Sequence, residues 1–323
     1  MTISAGKRRT RASALGVTFL VAVAACGSSS GSTGSSGSVK PPATAASNPT
    51  TPTNATARVE HVQLPLVDKS RPAVDPSGIR SAPVRALPTE LYLPATSRPR
   101  PLIVFAHGFD GDPSKFTQLL EHWADAGFVV AAPKFPVTQT GSGAQGIALA
   151  ADSVQQPADM SFVLDSLLKG KFASRIDAKH IGAAGMSLGG GTTWGLIAHS
   201  CCRDRRITAA IVMDGLQFPF PGGSYGKNRV PLLMFHADHD YALAYDAARG
   251  AYAGAAAPKW FVTLVGFTHA EPFENTPALT DAVVLQTSTD YWRAQLNGDQ
   301  RAARRIVPDA TVAGLSNIEA NIR

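Results

Sequence analysis

With 323 residues, 44% of them hydrophobic and 17% charged, the chain is too apolar for a disordered protein and long enough for one large domain or two small ones. The net charge of +6 gathers at the start: without Lys7, Arg8, Arg9 and Arg11 the balance is 26 basic residues against 24 acidic ones. No other cluster of Lys and Arg interleaved with aromatics follows, so no nucleic-acid partner is expected.

Those four basic residues precede Ala12 to Ala25, an apolar stretch too short to span a bilayer and of the size of a signal-peptide core. The predicted signal peptide is therefore 1–25. Its end, Val23-Ala24-Ala25-Cys26, resembles the bacterial lipoprotein signal, in which small residues precede a Cys that is lipidated and becomes the new N-terminus. Two or more acyl chains on Cys26 would anchor the protein outside the cytoplasmic membrane; the alternative is a plain secretory signal, with Cys26 a bystander. From Gly27 to Ser38 the chain is almost purely Gly and Ser, and from Lys40 to Ala57 it is rich in Pro, Thr and Ala. Such a stretch cannot bury enough apolar area to offset ordering entropy, so 26–57 reads as a tether and 58–323 as the folded domain.

Within that domain, short apolar runs alternate with helical patterns. Glu90 to Leu93 reads as a leading antiparallel strand, followed by buried strands at Leu102 to Ala106 and Phe128 to Ala132. Between these two, Asp112 is a predicted N-cap and Pro113 the first helical position. Phe116, Leu119, Leu120 and Trp123 share one face, and Gly127 is the stop. A helix over Asp159 to Leu168 precedes a strand at His180 to Ala184, and a helix over Gly189 to His199 precedes one at Thr208 to Met213. Strands at Val230 to Phe235 and Trp260 to Val265 flank a helix over Tyr245 to Tyr252, and a last helix runs from Thr280 to Leu296. The alternation predicts an α/β fold with a mostly parallel central sheet flanked by helices.

The strand ending at Ala184 runs into Gly185-Met186-Ser187-Leu188-Gly189 and then a helix, the arrangement of a nucleophile elbow. The sharp turn exposes the serine oxygen, and its flanking residues must be small. Gly27-Ser28-Ser29-Ser30-Gly31 carries the same letters without strand or helix around it, so context singles out Ser187. A serine needs a base to take its proton, late in the chain and after a late strand; His269, after Gly266-Phe267-Thr268, is the candidate. The carboxylate that orients the base must end a strand between the two. Asp240, in His236-Ala237-Asp238-His239-Asp240, is preferred over Asp214, with Asp238 read as a turn residue. Backbone N–H groups of Leu188 and of Phe109, in His107-Gly108-Phe109, are the candidate oxyanion hole.

Neither a metal nor a cofactor is expected. Adjacent side chains of the 236–240 segment point to opposite faces if the segment is extended, so they would not converge on one ion. Cys201 and Cys202 are adjacent, and consecutive Cα atoms lie about 3.8 Å apart, below the usual separation of a bridged pair. A strained vicinal disulfide and two free thiols both remain open. The Asp214 to Tyr225 segment, with Phe218, Phe220 and Tyr225, reads equally as an acyl pocket or lid and as a packed loop.

With these residues in place, the chain resembles the bacterial platelet-activating-factor acetylhydrolase and dienelactone-hydrolase-like α/β-hydrolases, a group bordering polyester hydrolases and chlorophyllases. The resemblance runs from about Val59 to Leu296 and rests on Asp68-Lys69-Ser70-Arg71-Pro72, Leu87 to Pro94, His107-Gly108-Phe109, Gly185 to Gly190 and Gly266 to His269. It implies an α/β-hydrolase fold and ester hydrolysis through a Ser187, His269 and Asp triad. The acetylhydrolase type would place the acid at Asp214, and Ala237 stands where many hydrolases have Gly. The expected substrate is a lipid-like or small acyl ester. The rival expectations are a polyester or cutin-type hydrolase and a catalytically silent binding lipoprotein of the same fold.

Overall fold

The computed structural model describes residues 59–74, 80–142, 152–275 and 280–323, all within one compact unit, Asn54–Arg323. The expected signal peptide, Cys26 and the tether lie outside the described residues. Strand β1 (Val59–Asp68) pairs antiparallel with β4 (Arg85–Pro94), while β2 (Ala73–Val74) and β3 (Arg80–Ala82) form a small separate ribbon. Next come β5 (Arg100–Ala106), α1 (Thr117–Asp125), β6 (Val129–Pro133), α2 (Gln156–Lys169), β7 (Ile176–Met186), α3 (Leu188–Ala198) and β8 (Ile207–Met213). The chain closes with β9 (Leu232–Ala237), α4 (Tyr245–Gly254), β10 (Lys259–Leu264), α5 (Asp281–Asn297), α6 (Gln300–Asp309) and β11 (Ser316–Asn321).

Nine strands join in the order β1-β4-β6-β5-β7-β8-β9-β10-β11. The six from β6 to β10 are parallel, with antiparallel pairs at both margins. Burial on both faces explains the continuous apolar runs in the central strands, because each face is covered by helices. Successive residues of β5 serve opposite faces, as the strand pleat requires. Ile103 and Phe105 pack with Trp123 of α1 and Trp292 of α5, whereas Leu102 and Val104 pack with Met160 of α2 and Trp194 of α3.

The predicted N-cap is present: the Asp112 carboxylate accepts the Ser114 N–H at 2.9 Å, and Pro113 opens a 3-10 turn that leads into α1. Gly127 ends the segment with φ 103°, a conformation that favours glycine. The order of connections reverses at β5, since β6 lies on one side of it and β7 on the other. In open α/β sheets, ligands gather outside the carboxyl ends of strands at such a reversal. The loop after β5 and the turn after β7 meet there.

Candidate active site

The turn from β7 into α3 is held by close backbone approach. A Cβ at Gly189 would collide with the Ala106 carbonyl at the end of β5, so only glycine lets the elbow sit against its neighbouring strand. Ser187 takes φ 54° and ψ −117°, strained for a residue with a side chain, and its N–H donates to the Met213 carbonyl at 2.9 Å. Strain of this kind costs about 1–3 kcal/mol and persists only where surrounding structure enforces it. Here β5, β7 and β8 together provide the enforcement.

His269 lies in the loop after β10, and its Nε2 is 2.9 Å from Ser187 Oγ. Its Nδ1 donates to Asp240 Oδ2 at 2.7 Å, which leaves the Nε2 lone pair facing the serine hydroxyl. The loop is braced from β9: Asp238 Oδ1 accepts the Gly266 N–H at 2.7 Å, and the His239 N–H donates to the Phe267 carbonyl at 3.1 Å. Asp238 is thus a turn residue, as expected. Asp240 is fixed independently of His269, because its Oδ1 accepts the Ala242 and Leu243 N–H groups, each at 2.8 Å.

Burial raises the proton affinity of Asp240, but the His269 hydrogen bond and the Leu243 N–H outweigh it and hold the carboxyl below its ordinary range. Burial alone would lower His269; the hydrogen bond and negative charge of Asp240 reverse that and set it above the ordinary imidazole value. Asp214 is a different case. It is fully buried, and desolvation pushes it up to about 6 despite the nearby His236 ring and the Ala237 N–H. Its Oδ1 accepts that N–H at 2.8 Å and its Oδ2 the Ala270 N–H at 3.3 Å, while His269 Nδ1 stands 3.8 Å away. Of the two aspartates, only Asp240 is within hydrogen-bond range of His269.

Two histidines matter more than their sequence context suggested. His107 is fully buried; its Nδ1 donates to the Gly108 carbonyl at 2.7 Å, and its Nε2 accepts the Phe135 N–H at 3.1 Å. Burial brings it down to about 4, so it is neutral and braces the loop that carries Phe109. Gly108 abuts Ser187 from this loop: a Cβ there would stand 3.2 Å from the serine Cβ. Leu188 is the first residue of α3, where N–H groups have no intrahelical acceptor. His236 donates from Nε2 to the Leu243 carbonyl at 2.9 Å and lies 3.4 Å from Asp240 Oδ2. The turn through Asp238 to Asp240 brings His236 and Asp240 together, which an extended segment would have kept apart.

Exposed aromatics border these groups. Phe109 is 41% exposed and Tyr241 81% exposed, and the Tyr241 ring lies 6.5 Å from that of His269. The 214–225 segment instead packs on α3: Phe218 fills the space over Gly191, and the buried Phe220 that over Gly195. Cys201 and Cys202 form a vicinal disulfide rather than two free thiols.

The protein-family model described as chlorophyllase matches residues 67–244, a span that takes in the Phe109 loop, the elbow and Asp240 and ends before His269. No curated protein matches the chain.

Proposed function

The chain belongs to the chlorophyllase family, an α/β-hydrolase-type family of esterase-type hydrolases, and on that premise we propose that it is a serine carboxylic-ester hydrolase working through an acyl-enzyme. The observation that carries the reading is the unbroken line Ser187 Oγ, His269 Nε2, His269 Nδ1 and Asp240 Oδ2, with gaps of 2.9 and 2.7 Å. Ser187 attacks the ester carbonyl as its proton passes to His269 Nε2. Asp240 holds the productive tautomer and stabilises the imidazolium, while the N–H groups of Phe109 and Leu188 receive the oxyanion. His269 then protonates the departing alcohol. A water, deprotonated by His269, cleaves the acyl-Ser187 ester and restores the site.

Ser187→Ala should abolish ester hydrolysis and covalent labelling by a fluorophosphonate while leaving the melting temperature nearly unchanged. Labelling that persists would refute the role of Ser187, and a wild type that neither labels nor turns over esters would mark a silent binding protein.

For substrate, lipid-like or small acyl esters fit an approach bordered by Phe109 and Tyr241. The openness of that border also supports a second reading, a polyester or cutin-type hydrolase. Release of product from an insoluble polyester film at a rate comparable to that from short soluble esters would favour the second; inactivity on films would remove it.

We also propose an extracytoplasmic protein anchored through lipidated Cys26, on the strength of the basic start, the apolar stretch and the small residues before that cysteine. Cys26→Ser should shift the protein from the detergent phase to the soluble one or stall it uncleaved. An unmodified N-terminus in the intact mass of the wild type would refute the anchor.

A further inference from the structure

The Cys201–Cys202 bridge joins neighbours in the chain, so it removes almost no freedom from the unfolded state. A bridge without loop-closing value draws attention to what surrounds the sulfurs. His199, 2% exposed, caps the C-terminal end of α3 and holds its Nδ1 2.9 Å from Cys201 Sγ. The Cys201 N–H donates to the same Nδ1 at 3.3 Å, so this nitrogen carries a lone pair and faces the sulfurs as an acceptor. The imidazole is locked by edge contacts with Phe220 and Tyr225, whose rings lie 5.4 and 4.7 Å away. The turn is locked as well: Ser200 and Ser224 exchange hydrogen bonds of 3.0 Å, and the Gly226 N–H donates to the Ala198 carbonyl at 2.9 Å. One donor atom from each of His199, Cys201 and Cys202 lies within 4.8 Å of the others, and Cys201 is exposed to solvent.

We propose that reduction of this bridge by an external dithiol opens a three-ligand site, formed by His199 Nδ1 and the Cys201 and Cys202 thiolates, for one d10 divalent cation such as Zn2+ or Cd2+. In the reducing step the sulfur–sulfur bond breaks. Each cysteine sulfur gains one electron and one proton from the dithiol, which closes to its own disulfide. The cation then displaces both thiol protons to solvent. Bond lengths of about 2.3 Å to sulfur and 2.0–2.1 Å to nitrogen fit three donors already gathered this closely once the sulfurs separate. The exposed side of Cys201 leaves the fourth position to water. Eleven helical residues, about 16 Å at the α-helical rise, separate this end of α3 from the end that bears Ser187. The site is therefore independent of the proposed ester chemistry, and esterase activity serves as a folding control for its variants.

The test is a Cd2+ titration of the full chain, read by thiolate-to-cadmium charge-transfer absorption, in the oxidised form and after phosphine reduction and anaerobic desalting. The reduced chain should bind one equivalent. The oxidised chain should bind none, nor should the reduced Cys201→Ser/Cys202→Ser variant, which retains Cys26. His199→Gln should bind about tenfold more weakly or worse. X-ray absorption on the loaded wild type, which needs no variant, should show two sulfurs and one nitrogen among the nearest ligands. Equal binding by oxidised and reduced chains, equal binding by His199→Gln, or a ligand shell without nitrogen would each overturn the proposal.

Discussion

Among the residues of the site, the two buried aspartates are set apart by about one ångström. Asp240 lies 2.7 Å from His269 Nδ1 and Asp214 lies 3.8 Å away, and only the first distance supports a hydrogen bond that selects the imidazole tautomer. Asp240→Asn should reduce kcat by about four orders of magnitude, the loss seen when the analogous serine-protease aspartate is amidated. Asp214→Asn should cost no more than about tenfold, equivalent to roughly 1.4 kcal/mol of barrier. Steady-state kinetics on both variants, each shown to be folded, would detect the reverse ranking. The pH profile offers a second check. His269 acts as a base only when neutral, and its folded value is raised above 6.5, so kcat/KM should fall on the acid side through a pKa above 6.5. Asp240→Asn should move that limb to lower pH. The linkage to stability has the opposite sign: the His269 contribution is fully present below pH 6.5 and fades as pH rises through the folded value.

At the scale of elements, α3 is an unusual helix. It opens Leu188-Gly189-Gly190-Gly191, a weak helix-forming run, and every residue from Leu188 to Ala198 is buried. Packing supplies what propensity lacks. The missing side chain at Gly191 is replaced by the Phe218 ring from the segment after β8, so helix and segment form one interlocked layer beside the elbow. Gly191→Val should overpack this contact and destabilise the protein by about 1–3 kcal/mol in urea unfolding, with activity falling as Phe218 is pushed away. A neutral result would mean that the segment yields freely and that α3 does not depend on this contact.

Across the whole molecule, the antiparallel margin is tied to the helical layer by buried charge. Arg85 of β4 is fully buried and donates to Asp159 at 2.8 and 2.5 Å and to Asp152 at 2.8 Å; Asp159 also pairs with Arg71 at 2.7 Å. Burial, with the Asp152 carboxylate nearby, drives Asp159 above its ordinary range even with both arginines near it. Arg85→Met would leave two buried carboxylates short of a partner and should cost about 3–5 kcal/mol in chemical denaturation. Restoration of stability when Asp159→Asn is added would trace the loss to uncompensated charge, whereas a loss unchanged by the second substitution would trace it to packing.

What the sequence determined by itself was whatever a local pattern encodes. The six central parallel strands declare themselves as apolar runs because both of their faces are buried, and the elbow at Ser187 because strand, small residues and helix are consecutive. The margins were harder to read. The β1 strand alternates at Val62, Leu64 and Leu66, but Pro65 interrupts the signal, and the mostly polar β11 is held chiefly by its pairing with β10. The α6 helix buries only Ala302 and Ile306 beneath an exposed face rich in arginine, so its apolar stripe, though helically spaced, is too narrow and too poor in large residues to stand out. Tertiary structure alone decided the relations between distant residues: which aspartate reaches His269, that His107 braces the Phe109 loop, that Phe218 packs on Gly191, and that His199 faces the two sulfurs. Composition and spacing constrain the neighbours of each residue along the chain. Which groups meet across it depends on strand order and on turns whose geometry is set by the packing of the whole sheet, where a shift of about one ångström decides whether a hydrogen bond exists.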